Sequence, residues 1–270
     1  MSPDPDNLAT FLHALCDAAA LETLPHFRMP VTITNKMVET GGFDPVTLAD
    51  QNGERAIRYL IEKRFPDHGI VGEEHGTKLP HAEKRWIIDP IDGTRAFVSG
   101  LPVWGTLIGF SDNGRLTCGV MDQPFTRERY WTVGRGSYER IDGQAHRKIE
   151  TSAITELDNA TLMTTSPHLF SEDTDAGYFR LEEAVKMFRY GCDCYAYAMV
   201  AAGHVDLVVE SGLNIYDIAA LVPIIEQAGG VVSDWNGEAV RDRGMANSKM
   251  QIIAAANADL HEKAIAVLQA

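Results

Sequence analysis

The sequence predicts a mixed fold, α+β in its first half and α/β in its second. Three observations carry that expectation. Past residue 100, apolar and β-branched runs at 103–110, 116–122 and 129–133 are separated by Asp112-Asn113-Gly114 and Gln123-Pro124-Phe125-Thr126, the pattern of an antiparallel meander. Past residue 155 the rhythm changes to strands alternating with helices, the pattern of an α/β layer. At 270 residues the chain can bury a substantial core as one large or two smaller units, here 1–155 and 156–270, with a cleft between them as the natural ligand site.

The elements follow in order. Asp6 or Asn7 can cap a first helix in which Leu8, Phe11, Leu12, Leu15 and Ala19 recur at helical spacing, and Pro25 ends it. Residues 31–33 read as a strand and Gly41-Gly42 as a loop. Thr47 and Asp50 fit a capping box opening a second helix, with Ala49, Ala56, Ile57 and Leu60 on or near its inner stripe. Residues 69–74 form a short strand ending in Glu73 and Glu74, poor strand formers that are either solvated charge or ligands. Asp142-Gly143 marks one more hairpin. In the second half, 160–164, 205–210, 231–234 and 252–255 read as strands, while 178–187, 195–202 and 217–228 read as helices. Gly203 and Gly229-Gly230 close two of those helices, and Asn257 caps a last one.

Composition narrows the function. A formal net charge of -14 argues against nucleic acid or an anionic membrane surface as a main partner. Four cysteines, at 16, 118, 192 and 194, are too few and scattered for a disulfide framework, which favours a reducing compartment. Cys192 and Cys194 flank a single residue, too close for the usual zinc spacing. No Lys or Arg precedes Arg28, against a secretory or Arg-rich transit peptide, and no apolar run approaches a membrane span; the expectation is a cytoplasmic protein. There is no Gly-x-Ser-x-Gly elbow, Walker loop or His-Glu-x-x-His, and Gly134-Arg135-Gly136 precedes a hairpin rather than a helix.

The chemistry concentrates in Trp86-Ile87-Ile88-Asp89-Pro90-Ile91-Asp92-Gly93-Thr94. The apolar run suits a buried strand, and Pro90 biases Asp89 away from helical dihedrals, so Asp89 is expected at the strand's end. Gly93 permits a tight turn, and Thr94 is a good N-cap for a short helix over 95–98. Two carboxylates facing the N–H end of a helix make a place where Mg2+ and a phosphate could be held together; the plainer alternative is a strand, a turn and an Asp cap. Glu73, Asp89, Asp92 and Asp217 each fall at the end of an element, where ligands for one cleft would come from, although capping alone also explains Asp50 and Asp217. Carboxylates converging without Lys or Arg would repel one another unless a multivalent cation lay between them. All-oxygen donors select Mg2+, Ca2+ or Mn2+. Two such ions about 4 Å apart can polarise a phosphoryl group, activate a water and stabilise a departing alkoxide.

Gly72-Glu73-Glu74, the stretch 86–94, and Tyr216-Asp217 with Glu226-Gln227-Ala228-Gly229-Gly230 resemble, in order and spacing, the three signature segments of the inositol monophosphatase superfamily. The resemblance implies a layered α/β/α/β/α sandwich and a Mg2+-dependent, Li+-sensitive phosphomonoesterase acting on a small phosphorylated substrate, frequently as a homodimer. Carried over by position, Glu73, Asp89, the Ile91 carbonyl, Asp92 and Asp217 would hold two Mg2+ ions. Thr94 with Asp50 would orient and deprotonate the attacking water, Glu73 belonging to the same catalytic group, and the Gly93 and Thr94 amides would hold the phosphate. Two departures stand out. Tyr216 occupies a position where Trp is common, and Glu39, near Lys36, occupies one where Lys is often found, which bears on any third metal position.

Residues 95–106, Thr165-Ser166-Pro167 and Arg189-Tyr190-Gly191-Cys192-Asp193-Cys194-Tyr195-Ala196-Tyr197 look most like the histidinol-phosphate phosphatase branch. Its substrate carries an ammonium and an imidazole, so the pocket should present acids; Asp193 and Glu210 are placed to supply them, with Arg189 and Gly191 as further substrate contacts. Asp193 also reads as a helix cap. The expectation is hydrolysis of L-histidinol phosphate, the alternatives being an inositol or broad sugar phosphatase and a non-catalytic phospho-ligand binder.

Overall fold

The computed structural model describes residues 5–30, 34–35, 45–171, 174–244, 246 and 249–270. The expected strand at 31–33, the Gly41-Gly42 loop, Lys36 and Glu39 lie outside the described residues. The first helix, α1 (Pro5–Thr23), runs into a short 3-10 turn, Leu24–His26, where Pro25 fits because the first positions of a helix need no N–H partner. Two short strands, β1 (Thr34–Asn35) and β2 (Pro45–Val46), pair antiparallel before α2 (Leu48–Arg64). Then come β3 (Gly69–Gly72), β4 (Gly76–Lys78), β5 (Lys84–Asp92), α3 (Thr94–Val98), β6 (Gly105–Asp112), β7 (Arg115–Gln123), β8 (Glu128–Thr132), β9 (Ser137–Ile141) and β10 (Arg147–Ile149). The second half supplies β11 (Thr161–Thr164), α4 (Asp175–Ala184), β12 (Met187–Tyr190), α5 (Asp193–Ala201), β13 (Leu207–Leu213), α6 (Ile215–Ile218), α7 (Leu221–Ala228), β14 (Val231–Asp234), β15 (Met250–Ala255) and α8 (Ala258–Gln269).

Strands β3 to β10 form one sheet in the order β10-β9-β8-β7-β6-β5-β3-β4, and β11 to β15 another in the order β12-β11-β13-β15-β14. Side-chain alternation along the strands sorts the core into layers. Ile70, Trp86, Ile88 and Val120 face one way and pack under Phe11, Leu12, Ile57 and Ile61 of α1 and α2. Val71, Ile87, Leu107 and Met121 face the other way, onto Ala198, Leu221 and Ile225 of α5 and α7, which also cover Val208 and Ile252 of the second sheet. The far face of that sheet, Leu162, Leu207 and Ile253, meets Tyr178, Leu181, Leu260 and Ala264 of α4 and α8. The result is a layered α/β/α/β/α sandwich. Among the described residues no helix is long and apolar enough to cross a membrane.

Three local expectations change. The helix expected over 178–187 ends at Ala184, and Met187 opens β12. Its residues align in parallel with β11, Thr161 with Met187 through Thr164 with Tyr190, so pairing across the sheet overrides the local helical pattern. The single helix expected over 217–228 is two, broken at Ala219-Ala220. That break lies on Gly119 of β7, where a Cβ would come within 2.8 Å of the Ala220 Cα, so the close approach of helix backbone to sheet needs glycine. Finally, the cap of α3 is Gly93 at φ 81, in the left-handed region, rather than Thr94.

Candidate active site

Strand β5 does not end at Asp89 but runs to Asp92 through a register irregularity, Asp89 opposing Leu107 and Asp92 opposing Gly105. Three steps on β5 thus match two on β6, the extra residue of a β-bulge. In a regular strand, side chains three apart point to opposite faces; the extra residue returns Asp92 to the side of Asp89. The bulge is tied down on both sides. Ile91 N–H donates to Asp89 Oδ1 at 3.0 Å, and Thr106 Oγ1 donates to the Pro90 carbonyl at 2.8 Å.

Asp217 arrives from the other sheet's side as the third residue of α6, where its Oδ2 accepts the Asn214 N–H at 2.7 Å. Asp89, Asp92 and Asp217 each bring a carboxylate oxygen to within 4.8 Å of the others. The capping explanation of Asp217 is therefore correct and compatible with its second oxygen facing the cleft. Glu73, just past β3 in the strand parallel to β5, reaches Asp89 closely enough to hydrogen-bond it.

Thr94 opens α3 and donates to the Ile91 carbonyl at 3.1 Å, with Asp50 Oδ1 3.4 Å away. Asp50 completes the capping box of α2, its Oδ2 accepting from Thr47 N–H at 2.8 Å and from Thr47 Oγ1 at 2.6 Å. Here too the capping reading holds, and one carboxylate serves the helix start with one oxygen and Thr94 with the other. Asp193 begins α5 at φ 43, and its Cβ lies 3.1 Å from where a Cβ on Gly93 would stand. The next amide, Cys194 N–H, donates to Asp92 Oδ2 at 2.7 Å. Glu210 is buried on β13, accepting from Thr165 N–H at 2.8 Å and Tyr197 Oη at 3.0 Å.

Glu73, Asp89, Ile91, Asp92, Gly93, Thr94, Asp193, Glu210 and Asp217 line one cleft of about 240 Å³, with Asp50 behind Thr94 and outside its lining. A larger cavity of about 480 Å³, lined by Ile215, Asp234, Arg241, Arg243, Lys249 and Gln251 among others, holds none of the converging aspartates. Arg189 and Gly191 do not reach the cleft. Arg189 stands on the exposed edge strand β12, and Gly191 is an exposed turn at φ 86 whose N–H donates to the Thr164 carbonyl at 3.0 Å. The edge position turns the Arg189 side chain to solvent. Thr164 and Ser211, not singled out in the sequence, also line the cleft, as do Thr165 and Tyr197 from the segments that resemble the histidinol-phosphate phosphatase branch. Tyr197 follows Asp193 by four residues on α5, a spacing that shares one helix face and so could have flagged it.

Burial dominates the electrostatics. It raises Asp89 and Asp92 well above the usual carboxylate range, reinforced at Asp89 by Glu73 and at Asp92 by Asp193. Asp217 is pushed up to about 8 by burial, opposed by the Asn214 hydrogen bond and Lys249 but aided by Glu73 and Glu210. Asp193 is pushed up to about 7 by burial and Glu210, against Arg95. Asp50 rises to about 6 through burial despite its Thr47 hydrogen bonds. Protein groups alone thus leave these acids short of compensation for their charge. An all-oxygen donor set of this kind fits a hard divalent cation, which would hold the carboxylates ionised.

The sequence profile of the inositol monophosphatase family matches residues 4–270. The chain belongs to that family. A chloroplastic bifunctional phosphatase of Arabidopsis thaliana is 41% identical over 269 residues, covering 98% of this chain and 75% of that one. A histidinol-phosphatase of Chlorobaculum parvum is 35% identical over 225 residues, 83% of this chain and 84% of that one. Among solved structures, an inositol monophosphatase from Zymomonas mobilis superposes with a TM-score of 0.85 at 37% identity, covering 99% of this chain and 100% of the other.

Proposed function

We propose that this member of the inositol monophosphatase family hydrolyses L-histidinol phosphate to L-histidinol and phosphate. The observation that carries the choice of substrate is the pair of acids lining one cleft, Asp193, part-buried beside the turn at Gly93, and Glu210, buried on β13, suited to a cationic leaving alcohol. The resemblance to histidinol-phosphatases at about one-third identity supports the same choice.

In this reading Glu73, Asp89, the Ile91 carbonyl, Asp92 and Asp217 hold two Mg2+ ions. The bound ions supply Lewis-acid stabilisation of the phosphoryl oxygens and of the leaving oxygen. The Gly93 and Thr94 amides, at the opening of α3, orient the phosphate. The Thr94 hydroxyl positions the attacking water, and Asp50, raised to about 6 and close to Thr94, takes its proton, with Glu73 beside them. The Cys194 amide holds Asp92 in place. A division near residue 155, the first part carrying most metal donors and the second supplying Asp217 and the specificity acids, belongs to the same reading. So do a homodimer, inhibition by Li+ and a reducing cytoplasmic setting, which the four free cysteines favour.

Incubating the protein and Mg2+ with a panel of phosphomonoesters tests the substrate. Histidinol phosphate should turn over fastest; faster hydrolysis of inositol phosphates or fructose bisphosphate would replace this reading with that of a broader sugar phosphatase, which the likeness to the Zymomonas mobilis inositol monophosphatase favours. Release of no phosphate from any ester would leave a phospho-ligand binder.

A further inference from the structure

Glu54 stands one turn after Asp50 on α2 and is fully buried, yet it does not line the cleft. A buried carboxylate is costly unless donors satisfy it, and three do. Arg58 Nε donates to Oε1 at 2.6 Å, Glu74 N–H to Oε2 at 2.7 Å, and His75 N–H to Oε1 at 3.2 Å. Arg58 Nη2 also donates to the Gly76 carbonyl, and His75 Nε2 lies 2.9 Å from the Gln51 carbonyl. The turn after β3 is therefore clasped to α2. On its other side Glu73 N–H donates to the Ile88 carbonyl at 3.3 Å, one residue before Asp89. Glu73 is thus fixed between its own amide on β5 and the following amide on Glu54.

The glycine of Gly72-Glu73-Glu74 belongs to the same clasp. A Cβ there would overlap the Glu54 carboxylate and come within 2.7 Å of Arg58 Nη2. An amide at position 54 would set an N–H against one of three converging donors, so a carboxylate is required.

We propose that Glu54, braced by Arg58, is a positioning residue for divalent-cation binding: it fixes the turn so that Glu73 faces Asp89. The proposal rests on the metal-dependent reading above. α2 would then serve the site twice, through Asp50 toward Thr94 and through Glu54 toward Glu73.

Titration calorimetry with Mg2+, alongside circular dichroism, tests it. Glu54→Gln and Gly72→Ala should fold and bind Mg2+ about 10- to 100-fold more weakly, the usual cost of losing a group that orients a ligand. Turnover lost at low Mg2+ should return at saturating Mg2+. Glu62→Gln, which breaks only an exposed α2 ion pair with Lys78 at 3.1 Å, should match the wild type. Gly72→Ala changes no charge and decides the matter where Glu54→Gln does not fold. Affinity lost in Asp92→Asn but kept in Glu54→Gln and Gly72→Ala overturns the Glu54 proposal alone. Affinity unchanged in Asp92→Asn overturns the reading of the site, and this proposal with it.

Discussion

Buried and part-buried carboxylates occur in two settings in this molecule. Away from the cleft each meets partners from the fold: Asp122 pairs with Arg129 and Asp242 with Arg85, both at 2.6 Å, Glu139 with Arg147 at 2.5 Å, while Asp206 accepts from Ser152 Oγ and from the Thr161 N–H at 2.7 Å. In the cleft Asp89, Asp92 and Asp217 face one another, and among the described residues none of them forms an ion pair with an arginine or lysine. Removing charge from water is costly in both places. Where a carboxylate serves the fold, the fold supplies its partner; in the cleft the partner has to come from solution, which is the strongest physical argument for a metal site.

The largest test of that contrast is Asp92→Asn. It should abolish measurable phosphate release, since a ligand must cost more than the roughly 10- to 100-fold of the groups that orient it. It should leave the metal-free thermal midpoint unchanged or higher, because one of the mutually repelling acids is gone; phosphate release at the wild-type rate would refute the site. Arg129→Met makes the opposite change. Losing one partner strands buried Asp122 and should lower unfolding stability by about 3–5 kcal/mol in urea titration, while the folded fraction keeps its kcat/KM.

A third test uses pH. Asp217 keeps its proton up to about 8 when folded, so in metal-free protein its favourable contribution is full below the ordinary aspartate range and is lost as pH rises through about 8. His13, stacked edge-on against Trp131 and close to Arg129, is pushed down to about 4 by burial and that arginine. Its contribution is full above its ordinary value and is lost as pH falls toward about 4. Below the ordinary histidine value the two contributions oppose each other, so the thermal midpoint of the metal-free protein should fall chiefly as pH rises toward about 8. Mg2+ should remove that alkaline decline and expose an acid decline, which His13→Asn should lessen. The smallest effect belongs to Arg127→Ala, whose partner Asp142 is 3.0 Å away with both side chains well exposed; it should cost under about 1 kcal/mol by the same urea titration.

The layers were legible because period-two strands and amphipathic helices write their burial into the sequence, as Ile70, Trp86 and Ile88 against Val71 and Ile87 do. Asp89, Asp92 and Asp217 could be picked out by their position at the ends of elements. The bulge that turns Asp89 and Asp92 to one side could not, since it exists only in the pairing of β5 with β6. Strand β12 was hidden for a related reason: all four residues are exposed, so no burial pattern marks it, and β11 alone fixes its conformation. Glu54 was missed because a glutamate inside a helix reads as solvated charge until the turn that it grips is visible.

The seating of Asp193 on Gly93 has a consequence for how the protein can diversify. Whatever side chain stands at 193 rests against the loop that introduces α3, and the amide following it fastens Asp92. A bulkier or differently shaped replacement, brought in to welcome another alcohol, would press on both. On the proposed reading of Asp193 as a specificity acid, selectivity and speed are geared together, and new preferences should emerge through compensating changes on α5 rather than by exchange of one residue.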